Sequence, residues 1–295
     1  MKVLNFGSLN FDNVYEVDHF VKPKETLSAE SFMRGFGGKG LNQSIALAKA
    51  GTEAYHAGKV GFDGDPFFTY LNEYGVNTKY LIKDDKVPTG HSIIQVYNGE
   101  NCIIISGGAN ETITEKDVDD TLEHFEKGDI LLIQNEISSL SYLIEQAHKK
   151  GLKIVFNTAP MDKKVFTYPL DKVDIFVVNE VEAQGLAECE SEKYEDIIEA
   201  LKVKFPRQAI VFTCGKDGAY YIDKDTTIFE PARVVNAIDT TAAGDTFTGF
   251  FLASLLQNRT PEECLKIATI ASSKTVQKKG AAQSIPSMEE VLKEL

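Results

Sequence analysis

Ile130-Leu-Leu-Ile-Gln134, Lys153-Ile-Val-Phe-Asn157, Ile175-Phe-Val-Val-Asn179 and Ala209-Ile-Val-Phe-Thr-Cys214 are four short apolar runs in the second half of the chain. Each is too short for a helix, so each reads as a buried strand. The stretches between them, such as 141–150 and 194–204, read as helices. Strands alternating with helices predict a parallel sheet covered on both faces. This pattern sets in at about Asp117.

Working outward, residues 2–7 read as a strand closed by a Gly-Ser turn. Residues 41–50 form a small-residue helix that stops at Gly51. Two β-rich segments interrupt the α/β pattern. Residues 11–34 alternate loosely and contain Pro23, which suits short or edge strands. Residues 90–106 are apolar and β-branched but broken by Asn98-Gly99, a strong hairpin signal. The two segments read as a small β lid on a single domain spanning 1–295. Such an appendage serves as a lid, as a dimer surface, or as both. There is no internal repeat, low-complexity tract or Pro/Ser-rich linker.

The chain has 295 residues, 43% of them hydrophobic, enough for one large α/β core. Lys and Arg number 31 against 44 Asp and Glu, a formal net charge of −13. Such a surface repels nucleic acid and anionic lipid, so neither is an expected partner. No apolar run approaches the ~20 residues that span a bilayer. The first residues do not read as a signal peptide, so the expected compartment is the cytoplasm. Cys102, Cys189, Cys214 and Cys264 are far apart and form no CxxC, which points to buried free thiols.

Two stretches carry chemistry. Gly35-Phe-Gly-Gly-Lys-Gly40, followed by Leu41-Asn42-Gln43, formally satisfies G-x-G-x-x-G. The context is wrong for a dinucleotide site, because the glycines do not follow the first strand and no acidic residue closes a later one. A P-loop also fails, since Lys39 lacks the Ser or Thr it needs. What remains is a glycine turn entering a helix, with free backbone N–H groups, a lysine and an amide. That combination suits close approach to a polyhydroxy ligand, though a plain tight turn would look the same.

The second stretch is Asp239-Thr-Thr-Ala-Ala-Gly-Asp245-Thr-Phe-Thr-Gly249, running into an apolar helix. A helix start built from small residues leaves N–H donors free for a developing phosphoryl charge. Asp245 stands beside those donors, where a carboxylate can orient and deprotonate a hydroxyl. Helix capping accounts for one aspartate here, but not for both together with the small-residue run.

In their order these stretches resemble the two signatures of the PfkB carbohydrate kinase family, and its ribokinase branch most of all. The resemblance extends over nearly the whole chain. It takes in Gly7-Ser-Leu-Asn-Phe-Asp12, Gly107-Gly-Ala-Asn110, Asn157-Thr-Ala-Pro160, Asn179-Glu-Val-Glu182, Thr213-Cys-Gly-Lys-Asp-Gly218, Lys279-Gly-Ala281 and Ser284-Ile-Pro286. It implies a ribokinase-like three-layer α/β sandwich with a mainly parallel sheet and a small β lid. It also implies transfer of the γ-phosphoryl group of MgATP to a primary hydroxyl, with D-ribose the first-choice substrate. Within the family a nucleoside, a hexose or a deoxyribose is the alternative acceptor. A silent sugar sensor, or a nicotinamide enzyme resting on the glycine pattern, lies outside it.

Residue by residue, the resemblance implies a sugar site of Asn10, Asp12, Gly38, Lys39, Asn42 and Glu136. Asp245 would be the base, with Ala242, Ala243 and Gly244 forming the anion hole. Asn179 and Glu182 would carry the Mg²⁺–phosphate element, Glu182 through water. Thr213, Gly215 and Gly218 would line the nucleotide site. Asp239, Thr241, Thr275, Lys278, Gly280 and Ser284 would surround a monovalent cation, K⁺, several through carbonyls. A homodimer through the β lid is the expected assembly.

Overall fold

The computed structural model describes residues Met1–Leu295. Thirteen strands form: β1 (Val3–Phe6), β2 (Asn10–Glu16), β3 (Ser31–Gly37), β4 (Ala54–Val60), β5 (Asn77–Lys83), β6 (Gly90–Tyr97), β7 (Glu100–Ser106), β8 (Ile130–Gln134), β9 (Lys153–Asn157), β10 (Ile175–Val178), β11 (Ala209–Thr213), β12 (Gly218–Ile222) and β13 (Thr227–Pro231). The α-helices are α1 (Lys39–Lys49), α2 (Asp65–Glu73), α3 (Glu115–Leu122), α4 (Leu140–Lys150), α5 (Glu180–Ala187), α6 (Tyr194–Lys204), α7 (Ala243–Leu256), α8 (Pro261–Thr275) and α9 (Met288–Leu292).

Nine strands make the main sheet, in the order β13-β12-β11-β10-β9-β8-β1-β4-β5. From β11 to β5 every pairing is parallel, and the β12–β13 hairpin closes one edge antiparallel. Strand periodicity explains how both faces come to be buried. Along β8, Ile130 and Leu132 enter one core while Leu131 and Ile133 enter the other. The first core also holds Ile45 of α1, Phe250 of α7 and Ile267 of α8. The second holds Leu143 of α4, Ala183 of α5 and Ile197 of α6. The two cores contain 34 and 32 buried residues, so neither face is the open one.

The α/β pattern begins earlier than the expected Asp117. β1 lies at the centre of the sheet between β8 and β4, with β5 beyond. β4 hides from periodicity because Ala54-Tyr-His-Ala-Gly-Lys-Val60 buries two polar side chains, His56 and Lys59. The Lys59 ammonium is neutralised at 2.7 Å by Asp117 and donates to the Thr112 carbonyl at 2.8 Å. A buried lysine is tolerable only when paired in this way.

A separate four-stranded sheet has the order β3-β2-β6-β7. Its β6–β7 turn is Asn98-Gly99, with φ of 49° and 82°. Positive φ at both positions is what an Asn-Gly hairpin turn requires. Pairing places Asn10, Asp12, Val14, Met33, Ser92, Ile94, Ile103 and Ile105 on one face. The polar end of that face lies toward the main domain, whereas Met33, Ile103 and Ile105 are 64%, 51% and 59% exposed.

All four cysteines are free, but the expectation that they are buried holds only for Cys214 and Cys264. Cys189 is half-buried, and Cys102 is exposed because β7 is an edge strand open on both faces. No helix is long and apolar enough to cross a membrane.

Candidate active site

The site forms where the carboxyl ends of the parallel strands meet the starts of α1, α5 and α7, the place where open α/β sheets hold ligands. Gly38, at φ +99°, turns the chain from β3 into α1. A Cβ on Gly40 would lie 2.4 Å from the Ser8 nitrogen, so only glycine lets this turn rest on the loop after β1. The turn delivers Lys39 to Glu136: the Lys39 N–H donates to Oε2 at 3.2 Å, and Nζ stands 3.8 Å from Oε1. The Ser8 hydroxyl donates to the same carboxylate.

Lys39 is surrounded by acids. Burial pulls its pKa down, but Glu136, Asp245, Glu182 and Asp12 outweigh burial and hold it above the usual value. Each of those four carboxyls is pushed up, chiefly by burial, with Lys39 opposing. Four carboxylates against one ammonium make a pocket rich in acceptors, which suits a neutral ligand with many hydroxyls.

From the small sheet come Asn10 and Asp12. Asn10 accepts from Asn110 at 2.9 Å, and Asn110 is itself pinned to the Leu9 backbone. Asp12 accepts from the Ser92 hydroxyl at 2.6 Å. Asn42 donates to Asp245 Oδ2 at 3.0 Å, and Gln43 donates to Oδ1 at 2.9 Å. The other end of the Asn42 amide, Oδ1, is buried with no partner in the chain. A ligand hydroxyl is the kind of donor that would satisfy it.

α7 starts after Ala242, which takes a left-handed φ of 59°. No side chain caps this helix. Ala243 donates to the Thr240 carbonyl, whereas the N–H groups of Gly244 and Asp245 find no acceptor in the chain. A Cβ on Gly244 would meet nothing within 4 Å, so open space lies in front of these donors. The capping alternative for Asp239 and Asp245 is thereby removed. Asp245 spends its carboxylate on α1, and Asp239 on Thr241 and Gly280.

Asn179 and Glu182 open α5 as a reciprocal capping box, each side chain accepting the other's backbone N–H. That uses Oε2 of Glu182 and leaves Oε1 free. Thr213 ends β11 and donates to the Val178 carbonyl at 3.3 Å. Gly215 sits at φ +50° in the following turn. Gly218 has a packing reason of its own, since a Cβ there would come within 2.2 Å of the Glu230 carbonyl.

The third cluster is only partly assembled. Asp239 accepts from the Thr241 N–H and hydroxyl and from the Gly280 N–H, which ties the entrance of α7 to the segment after α8. Burial works against its ionised form, but these hydrogen bonds hold its pKa below the usual range. Thr275 bonds instead to Thr246, Ser284 to the Ala281 carbonyl, and Lys278 stands 3.8 Å from Glu290. No group of three or more His, Cys, Asp or Glu side chains is arranged to hold a metal.

Ser8, Gln43, Ser92, Asn110 and Gln134 also build the site, though the sequence did not mark them out as site residues. Ser8 and Gln134 carry only the signal of a polar residue at the end of, or just beyond, an apolar run, which ordinary turns also show, and Gln43, Ser92 and Asn110 carry no local signal of their own.

Residues 1–288 match the model of the pfkB family carbohydrate kinases. Ribokinase of Staphylococcus aureus is 36% identical over 98% of this chain and 98% of its own length. Deoxyribokinase of Salmonella typhi is 32% identical over 98% and 97%. Among solved structures, ribokinase of Arabidopsis thaliana complexed with ribose and ATP superposes with a TM-score of 0.86 at 29% identity, covering 99% of this chain and 97% of that one.

Proposed function

This chain belongs to the pfkB family of carbohydrate kinases, and from that premise we propose that it transfers the γ-phosphoryl group of ATP to the primary hydroxyl of D-ribose. The activity class, a phosphotransferase with a sugar alcohol group as acceptor, comes with the family. Ribose is the further step. The observation that carries the reading is the position of Asp245. Its carboxylate is held by Asn42 and Gln43 while its own N–H and that of Gly244 stand free at the start of α7.

In this mechanism Asp245 takes the hydroxyl proton as the sugar oxygen attacks the γ-phosphorus and the bond from that phosphorus to the β–γ bridging oxygen breaks, releasing ADP. Burial raises its pKa while Lys39, Gln43 and Asn42 oppose that rise. A carboxylate nearer the working pH is a better general base. The free N–H groups and the positive end of α7 receive the charge that spreads over the phosphoryl oxygens. Asn10, Asp12, Lys39, Asn42 and Glu136 orient the sugar, so that catalysis rests on positioning and electrostatics.

Asn179, Glu182, Thr213, Gly215 and Gly218 are assigned to the nucleotide side. Mg²⁺ arriving with ATP would neutralise phosphate charge. Among these five residues the free carboxylate oxygen is Oε1 of Glu182, so they would hold that ion through water rather than in a cage of their own. K⁺ is assigned to the Asp239–Thr241–Gly280 knot, with Thr275, Lys278 and Ser284 contributing mainly carbonyls. The whole chain acts as one kinase domain, with the small sheet as its lid.

An ATP-consumption screen over pentoses, hexoses and nucleosides tests the substrate. D-Ribose is expected to give the highest kcat/KM. A tenfold preference for adenosine or fructose, about 1.4 kcal/mol of transition-state binding, would overturn it. The deoxyribokinase relative makes 2-deoxyribose the second reading, and the same preference for that sugar would establish it instead.

A further inference from the structure

Behind Asp245 runs a line of buried polar side chains that phosphoryl transfer does not itself use. Gln43 donates from Nε2 to Asp245, and its Oε1 accepts from Nε2 of Gln134 at 2.7 Å. The same Gln134 nitrogen donates to Asn5 Oδ1 at 2.9 Å. Asn5 in turn donates to the Gly40 carbonyl at 2.7 Å and to the Ser44 hydroxyl oxygen at 2.8 Å. The Ser44 hydroxyl lies 2.8 Å from Nδ1 of His56. All five side chains are fully buried, and they come from β1, α1, β4 and β8.

Donation runs outward from Gln134 on both sides, through Gln43 to Asp245 and through Asn5 to Ser44, while Gln134 Oε1 finds no partner in the chain. The Ser44 oxygen can accept from Asn5 and still either donate to or accept from Nδ1 of His56, so His56 makes this bond as a neutral ring in either tautomer. Burial favours the same state, pushing the His56 pKa down to about 3 with the Gly7 carbonyl opposing in part. Nothing about Gln43 alone decides which end of its amide faces Asp245. Turned over, it would aim a carbonyl at a carboxylate. Asp245 disfavours that orientation, and so does Gln134, whose N–H donates to the oxygen end of Gln43. Five polar groups in a core each cost stability unless paired, and an apolar set could fill the same space. Their arrangement makes sense as a support for what lies at its open end.

We propose that Gln134, itself oriented by Asn5, is a positioning residue for phosphoryl transfer: it holds the Gln43 amide so that Gln43 donates to Asp245. This rests on the reading of Asp245 as the base. Around Asp245 the other charged groups are Lys39 on α1, Glu136 after β8 and Glu182 on α5. None of them replaces the Gln43 bond, and Asn42 still holds the second carboxylate oxygen, so the effect is partial.

The test uses the full-length protein with D-ribose and MgATP, comparing Gln134→Met, Gln43→Met, the double variant and Asp245→Asn. Each single methionine variant is expected to lose about tenfold in kcat while KM for ATP stays within about twofold. The double variant is expected to fall no further than Gln43→Met, because Gln134 acts through Gln43. Gln134→Leu also removes the donor, and serves as the second variant should Gln134→Met not fold; it too is expected to lose kcat. Losses that multiply in the double variant, or a folded Gln134 variant keeping more than half of wild-type kcat, would overturn the proposal. Asp245→Asn separates the two failures. If it stays active, the base assignment itself is wrong. If it is inactive while the Gln134 variants are not, only the positioning role is lost.

Discussion

Asp245 accepts two amide hydrogen bonds from consecutive residues of α1 and caps nothing. Its substitution therefore tests chemistry with little effect on the helix it begins. In Asp245→Asn the side chain keeps its size and loses its basicity, so kcat is expected to fall by about 10²–10⁴-fold. One of the two amide donors would then face an amide nitrogen, a loss of about 1 kcal/mol, offset by removing a carboxylate that burial disfavours. The melting temperature should move by only a few degrees, and ATP binding should persist. Retention of more than about a tenth of wild-type kcat, with chemistry shown to be rate-limiting, would remove Asp245 from the mechanism. The aspartate itself is legible in the sequence, from the small-residue run before an apolar helix. Gln43 is not, because a glutamine inside a small-residue helix has no local feature separating it from a surface amide.

Between the elements, the entrance of α7 is held by side chains from another segment. Asp239 grips Gly280 across 41 residues and Thr241 beside it, and with the Ile238 and Asp239 N–H groups donating to the Val276 carbonyl it ties the loop before the free N–H donors to the end of α8. A monovalent ion in this knot would stiffen the loop that presents those donors. Activity is accordingly expected to be higher in K⁺ than in a buffer whose only cation is a bulky organic one, with Mg²⁺ held constant. Equal rates in the two buffers would dismiss the site. The carbonyls proposed to line it could not be read from side-chain identity, since any residue supplies one. The hairpin of β6 and β7, by contrast, was readable from two residues, because Asn-Gly tolerates the positive φ that the turn imposes.

At the scale of the whole molecule, the small sheet leaves an account unsettled. Met33, Ile103 and Ile105 share the face that carries Asn10 and Asp12, and β7 is an edge strand exposed along its whole length. An apolar, unpaired edge of this kind calls for a cover. We expect a second copy of the chain to supply it, lid against lid. Light scattering should give twice the 32.6 kDa of one chain, and Ile103→Lys with Ile105→Lys should return it to one. A wild-type protein that is monomeric at micromolar concentration would count against the pairing. What the sequence determined alone is whatever a period or a dipeptide can encode: the strands from β8 to β11 with helices between them, the Asn98-Gly99 turn, the glycine turn before α1 and the small-residue start of α7. β4 escaped because His56 and Lys59 interrupt its apolar pattern, and their burial is tolerable only through Ser44 and Asp117 elsewhere in the chain. The tertiary structure decided which side chains meet. Asn42 and Gln43 reach Asp245 across 203 and 202 residues, and Gln134 reaches Asn5 across 129. Such bonds depend on the order of strands in the sheet, and that order is set by packing both faces at once rather than by any local pattern of residues.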